Sequence, residues 1–386
     1  MIALLASRAL TPLETIEDPV LLVEEGRIAA LGAAAQVGVP AEAQVLRFDG
    51  CTLAPGFIDI HIHGCRGRSV SAASREALAE MSAYMATRGT TGFLAGIPAS
   101  PEDVTLRALD ACVEAAEHGP PGAQMVGVHL EGPFLNPDKK GAQPEDCLRP
   151  PDHDYADTLL ERGRGTVRIM TVAPELPGAV ELIRHLVDRQ VAVSLGHTTA
   201  TFDQAVRGIR AGATLVTHTY NTMPPFHHRE PGMIGAALTS DEVYGELIAD
   251  GVHVHPAAVA IVVRAKQPQR VVLVSDAMEA AGMADGEYDL AGQKVRVKEG
   301  VARLDDGTLA SSTLSMDRAV ANVMEFAGVG LEEAVLMAST NPALAIGLRA
   351  QRGTLAEGLD ADIVVLNEEL GVEMTMVGGA VAWQRS

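Results

Sequence analysis

Aromatic residues are scarce: one tryptophan, five tyrosines and seven phenylalanines leave 3% aromatics in a 386-residue chain that is 47% hydrophobic. Its core must therefore be aliphatic and alanine-rich. Positive charge is scarce too. Thirty Lys and Arg against fifty Asp and Glu give a net charge of −20, which argues against nucleic acid or an anionic membrane as partner. A small anionic ligand would need its own basic pocket. The four cysteines, Cys51, Cys65, Cys112 and Cys147, are scattered without a CxxC pair. That pattern offers neither a zinc ribbon nor a disulfide scaffold and fits a reducing compartment. The apolar start MIALLASRAL is too short to span a bilayer and lacks a basic leader and a cleavage site. A cytoplasmic location is expected.

What the chain does contain is a regular alternation. Eight apolar runs read as strands: 57–63, 91–97, 125–131, 167–173, 191–197, 215–221, 245–250 and 271–276. Amphipathic stretches such as SREALAEMSAYMATRG and PGAVELIRHLVDRQ separate them. Repeated βα units with apolar strands predict a parallel sheet covered on both faces, and eight of them close most simply into a (β/α)8 barrel. Both ends read as short strands and turns, among them PVLLVEEGRIAALG with a turn at Glu25-Gly26. The expected architecture is an α/β chain: a (β/α)8 barrel over residues 53–350 and a small β-sandwich domain assembled from 1–52 and 351–386. GQKVRVKEGVARLDDGTLA reads as a hairpin extension. SMDRAVANVMEFAG and STNPALAIGL read as helices, with Pro342 suited to a first turn.

Barrel strands deliver functional groups at their C-terminal ends. The first strand ends in His61-Ile62-His63, two histidines on one face of a strand and suited to a shared ion. The third ends at Glu131, the fifth at His197, the sixth at His218, the eighth at Asp276, and the seventh runs on to His253. Each has an ordinary reading alone: a hydrogen-bonded core histidine, a loop carboxylate, a helix cap for Asp276. Together at one rim they predict a convergent metal site. His118, His153 and His185 fall in helical or loop context and are expected to play no part, and His227 and His228 sit in a loop.

The order of APGFIDIHIHG, VHLEGPFLNPDKKGA, LGHT, THTYNTMPPFHHREPG, IADGVHVHP, SDAM, GTLASSTLSM, NPALAIGL and GTLAEGLDADIVV resembles the amidohydrolases, and among them the N-acetylglucosamine-6-phosphate deacetylase family. The resemblance covers nearly the whole chain and implies a metal-dependent hydrolase. The reaction would convert N-acetyl-D-glucosamine 6-phosphate to D-glucosamine 6-phosphate and acetate, in amino-sugar catabolism or cell-wall sugar recycling. It also implies that Glu131, His197 and His218 are the main metal ligands and that His61 and His63 complete a second position. Asp276 would be the acid–base group. Asn221, Thr222, Arg229 and His253 would bind and orient the sugar phosphate, Arg229 and His253 across a homodimer interface; a homotetramer is the other assembly considered. Gln143 stands where some relatives carry a substrate-binding histidine. One or two divalent ions per subunit are expected, zinc first, with iron, manganese or cobalt also suited to such donors. Other amidohydrolases remain as alternatives. A cyclic amidase would use a lysine on the fourth strand, which here reads VRIMTVAPE and has none, and a D-aminoacylase would not explain THTYNTMPPFHHREPG. A catalytically dead scaffold barrel would be expected to have lost several of these groups.

Overall fold

A computed structural model of the chain describes residues 1–11, 14–119 and 121–386. All eight expected barrel strands are present and parallel: Phe57–Ile62, Thr90–Pro98, Gln124–Glu131, Val167–Val172, Ala192–Leu195, Leu215–Val216, Tyr244–Leu247 and Val271–Leu273. They are hydrogen-bonded in chain order from first to eighth. Closure comes at the rim: Asp276 N–H donates to His61 O at 2.8 Å and His63 N–H to Ala277 O at 2.8 Å, beside an isolated parallel bridge between Ile62 and Ala277.

Each strand is followed by a helix, from Arg75–Ala86 to Met316–Ala327. The helix Phe202–Arg210 begins with a capping box in which Thr201 and Gln204 satisfy each other's backbone N–H groups. The interior and the helix–strand layer are filled by Ile, Val, Leu, Met and Ala, with Phe57, Phe93 and Phe134 the largest fully buried side chains. The aliphatic core that the composition requires is what forms.

The fifth, sixth and eighth strands stop short of their apolar runs for one reason. His197, His218, Tyr220 and Asp276 take left-handed φ angles of 48°, 28°, 83° and 46°. Such angles end a ladder and turn the side chain inward. The strands stop two to three residues before the functional groups, which sit on turns anchored by them.

The small domain is built from both ends, as expected. Its strands form one eight-stranded sheet in which Gln44–Pro55 pairs with both Ile2–Leu10 and the C-terminal strand Ile363–Leu366. Apolar side chains are buried on both faces, Leu21 and Val23 on one and Val20 and Leu22 on the other. The turn at Glu25-Gly26 joins Pro19–Glu24 to Arg27–Ala33, and both residues have positive φ. A Cβ on Gly26 would lie 2.9 Å from Gly378 O, so glycine is required there twice over.

The expected hairpin after the eighth strand is a three-stranded meander, because Gly286–Leu290 joins Gln293–Lys298 and Val301–Arg303. Leu290, Val295, Val297 and Ala302 pack its inner face against Met278 and Ala280 and bring its edge over the barrel mouth. Pro342 does lie in the first turn of Asn341–Ala345, but that helix continues a widened π-turn, Leu336–Thr340. The widening accommodates a residue that cannot donate to the preceding turn.

Candidate metal centre and active site

Four histidine nitrogens converge on one carboxylate. Glu131 Oε1 lies 3.0 Å from His197 Nε2, 3.1 Å from His218 Nε2 and 3.4 Å from His61 Nε2, while Oε2 lies 3.3 Å from His63 Nε2. Asp276 Oδ1 is 3.2 Å from His63 Nε2 and 3.7 Å from His61 Nε2. Two donor sets result, Glu131–His197–His218 and His61–His63–Asp276, all six residues buried.

The other nitrogen of each ring decides what these Nε2 atoms present. His197 Nδ1–H donates to Lys139 O at 2.9 Å, His63 Nδ1–H to Gly96 O at 3.0 Å, and His61 Nδ1–H to Glu246 Oε2 at 2.9 Å. A carbonyl or carboxylate only accepts, so in these three rings, when neutral, Nε2 carries a lone pair toward the shared carboxylate, whereas among the described residues His218 Nδ1 has no partner to fix its tautomer. His197 Nε2 and His218 Nε2 are 3.1 Å apart, and among the described residues buried His61 Nε2 has no hydrogen-bond partner. Lone pairs gathered in a dry site repel unless positive charge lies between them. Zinc bonds of ~2.0–2.1 Å at tetrahedral angles separate ligand atoms by roughly 3.3 Å, close to the spacings here. The donor set fits a divalent cation.

Electrostatics points the same way. Burial pushes the His63 imidazolium down, but Asp276 and Glu131 outweigh it and raise its pKa to about 9; His61 is raised well above its ordinary value against the same burial by Asp276, Glu131 and Glu246. Burial pushes Glu131 and Asp276 up, yet the surrounding histidines hold both below the ordinary carboxylate range. The cluster attracts positive charge, which protons or a metal ion can supply.

The rings are held by their supports. Glu175, just past the fourth strand, accepts from Asn136 Nδ2 at 2.8 Å, Thr198 Oγ1 at 2.5 Å and Thr199 N at 2.6 Å. It thereby pins the left-handed His197 turn to the 136–143 loop, whose Asn136 N–H donates to His197 O. A cavity of about 230 Å³ opens over the cluster. Asn221, Thr222, Gln143 and His253 line it on one side, and Leu290 and Leu309 of the meander region on the other. Ser311 Oγ reaches Asp276 Oδ1 at 3.3 Å, and His253 is oriented by Asp250 Oδ2 at 2.7 Å.

His253, expected across a dimer interface, instead lines the cavity of its own chain, and two other sequence-predicted residues depart from this convergence. Arg229 does not line the cavity; it is exposed, with Nη1 2.8 Å from His228 Nε2. Gln143 lines it but is engaged: Nε2–H donates to Glu131 Oε2 at 2.5 Å, and Oε1 accepts from Ala99 N at 2.8 Å. It steadies the shared carboxylate. As expected, His153 and His185 stack on each other away from the site, with His185 bonded to Asp157.

Comparison with known proteins agrees with the geometry. Residues 52–382 match the Amidohydrolase family. The chain belongs to this family. Among curated amidohydrolase relatives, an N-acetylgalactosamine-6-phosphate deacetylase of Escherichia coli O157:H7 is 39% identical over 98% of both chains. The N-acetylglucosamine-6-phosphate deacetylase of Bacillus subtilis (strain 168) is 37% identical over 96% of this chain and 94% of its own. Among solved structures, a mutant N-acetyl-D-glucosamine-6-phosphate deacetylase of Mycobacterium smegmatis in complex with N-acetyl-D-glucosamine-6-phosphate superposes with a TM-score of 0.92, at 36% identity and 99% coverage of both chains. Membership of this amidohydrolase family, with these donor sets, implies a divalent metal ion. No helix among the described residues is long and apolar enough to cross a membrane.

Sequence reading missed two buried groups of this amidohydrolase site, Asp59 and Glu246. Asp59 accepts from His61 N at 3.2 Å and Ser275 Oγ at 2.5 Å, joining the first strand to the end of the eighth. It precedes His61 by two residues on the inward face of the same strand, a signal that was present. Glu246 interrupts the apolar run YGELIA, and a charge there is itself the clue. His129 also faces inward, but Nδ1 is bonded to Ile60 O and Nε2 to Thr171 Oγ1, so it is a satisfied core histidine.

Proposed function

We propose that this chain hydrolyses the acetamide of N-acetyl-D-glucosamine 6-phosphate to D-glucosamine 6-phosphate and acetate, in amino-sugar breakdown or recycling in the cytoplasm. The observation that carries the reading is the meeting of two histidine–carboxylate donor sets on Glu131 beneath a sugar-sized cavity, in a chain closely similar over its whole length to deacetylases of such sugars. The catalytic unit is the barrel of residues 53–350, carried on a small domain formed by 1–52 and 351–386.

In this reading Glu131, His197 and His218 would hold one ion, and His61 and His63 would hold a second beside it. Zinc is the first candidate, with iron, manganese and cobalt compatible with the same donors. A bound ion supplies Lewis acidity, which lowers the pKa of a water from about 16 toward 7 and polarises the amide carbonyl. The chain does the rest. Asp276, ionised and buried at the cavity floor, takes the proton of the attacking water and returns it to the amine nitrogen, which must be protonated to leave. His253, with its Nδ1–H held by Asp250 Oδ2, donates in its imidazolium form from Nε2–H to the oxygen that becomes negative. Asn221 and Thr222 orient the sugar phosphate.

Among the described residues no lysine or arginine lines the cavity, so a phosphate dianion needs a cation from elsewhere. We assign this role to Arg229 of a second copy in a homodimer, or in a homotetramer built from such pairs. Exposed Phe226 and Val252, 55% and 44% accessible, lie three residues from Arg229 and beside His253 in the sequence and supply apolar surface for that contact. The similarity to an N-acetylgalactosamine-6-phosphate deacetylase favours one second reading, preference for the C4 epimer.

The test is acetate release from both epimers and from unphosphorylated N-acetylglucosamine, with metal counted on the same samples. The glucosamine derivative is expected to have the highest kcat/KM, with about two ions per chain, falling to one or none in His61→Asn/His63→Asn. A higher kcat/KM on the galactosamine epimer selects the second reading. Equal turnover of the unphosphorylated sugar contradicts the phosphate assignment.

A further inference from the structure

Glu246 takes no part in that chemistry, yet it is a carboxylate with no exposed side-chain surface. Burying such a charge costs several kcal/mol unless it is paired and hydrogen-bonded. Its Oε2 is met twice, by His61 Nδ1–H at 2.9 Å and by the backbone N–H of His218 at 3.2 Å, whereas Oε1 has no partner among the described residues. His61 belongs to one donor set and His218 to the other. From the seventh strand, Glu246 therefore grips one member of each.

Two consequences follow from the geometry. With its Nδ1 proton committed to Glu246, His61 keeps the Nε2 lone pair, which faces Glu131 Oε1 at 3.4 Å and Asp276 Oδ1 at 3.7 Å. The opposite tautomer would set a lone pair against the Glu246 carboxylate at 2.9 Å and leave Nε2 unable to bind a cation. The second consequence concerns His218, whose φ of 28° lies outside the regions a histidine prefers. The bond from its N–H to Glu246 helps hold that turn. His129 cannot substitute as the acceptor for His61, because both its nitrogens are engaged.

We infer that Glu246 is a positioning residue that makes His61 a metal ligand by fixing its tautomer, and that the ion position at His61 and His63 depends on it. The inference rests on the two-ion reading proposed above. A carboxylate behind a ligating imidazole typically contributes about 10–100-fold in metal affinity.

The decisive experiment measures zinc per chain in metal-buffered solution, with chelator competition, for wild type, Glu246→Met, Glu246→Gln and His61→Asn. Methionine fills the space but removes the acceptor, whereas glutamine retains an acceptor oxygen. The expected result is that Glu246→Met loses affinity for one of two ions by roughly 10–100-fold, as His61→Asn does. Its metal-free form should melt somewhat lower than wild type, because the buried N–H groups of His61 and His218 lose their acceptor, and kcat should fall more than KM rises. Glu246→Gln should recover most of the second ion. Two ions held by Glu246→Met with wild-type affinity overturn the inference while leaving the two-ion reading intact. Glutamine binding no better than methionine overturns the tautomer argument. A wild type that holds one ion overturns the two-ion reading and the inference with it. Should the methionine variant not fold, nitrogen NMR of zinc-loaded wild type decides: a slowly exchanging His61 Nδ1–H supports the assignment, and its absence overturns it.

Discussion

The two ends of the proposed substrate site are built in opposite ways. At the metal end six side chains are buried, and the second nitrogen of three of its four histidines is fixed by a backbone carbonyl or by Glu246. At the other end residues 225–230 are exposed, and the Arg229 guanidinium is hydrogen-bonded to its neighbour His228. The difference teaches where one chain is sufficient. Preorganised donors in a dry site stabilise charge without reorganisation, so the buried end works from one barrel. An exposed arginine is solvated and screened, and it binds phosphate strongly only when another surface covers it.

Asp276→Asn should have the largest effect, a loss of about 10²–10⁴-fold in kcat with metal content retained. Steady-state kinetics with metal analysis checks it, and unchanged turnover would remove Asp276 from the mechanism. Next is Arg229→Ala, which strikes only the exposed end. It should raise KM for the phosphorylated sugar about 10–100-fold, the size of one lost charge-assisted hydrogen bond or pair, and leave metal content and turnover of the unphosphorylated sugar unchanged. Mixing Arg229→Ala with Asp276→Asn chains should restore activity to part of the population, because each mixed pair then carries one complete site. No recovery in mixed dimers would place the phosphate cation within a single chain. Phe226→Ser should act more weakly, shifting the assembly toward monomer in sedimentation and raising KM several-fold.

The smallest effect concerns a buried charge that neither a metal nor a partner chain relieves. Lys266 is 3% exposed, its ammonium donates to Ser240 O, and burial lowers its pKa to about 8 from an unfolded value near 10.5. The folded state disfavours the charge, so the cost is fully present below about pH 8 and fades as the pH rises toward 10.5. Relative to Lys266→Met, wild type should therefore gain about 1–4 °C in melting temperature between pH 7.5 and 10. A difference that does not change with pH would mean that Lys266 titrates normally in the fold.

Much of this architecture was legible in the chain. The eight apolar runs became the eight barrel strands, and the turn at Glu25-Gly26 formed where a two-residue hairpin should. His61, His63, Glu131, His197, His218 and Asp276 were recognisable because barrel topology sends every strand end to one rim. Less legible were the points at which strands stop. Apolar runs carry through His197 and His218, whereas the left-handed backbone at those residues comes from contacts with Glu175, Asn136 and Glu246, distant in sequence. Gln143 was read as a substrate residue by its neighbours in the motif, and only its distances reveal that it grips Glu131.

The sequence by itself determined the donor chemistry, the strand count and the pairing of the two chain ends, because local periodicity and residue type carry that information. The tertiary structure alone decided which imidazole nitrogen faces inward, which carboxylates meet, and that Arg229 stands outside its own cavity. Those are matters of ångström-scale proximity between residues as far apart as His61 and Glu246, 185 positions along the chain, and no local pattern encodes them.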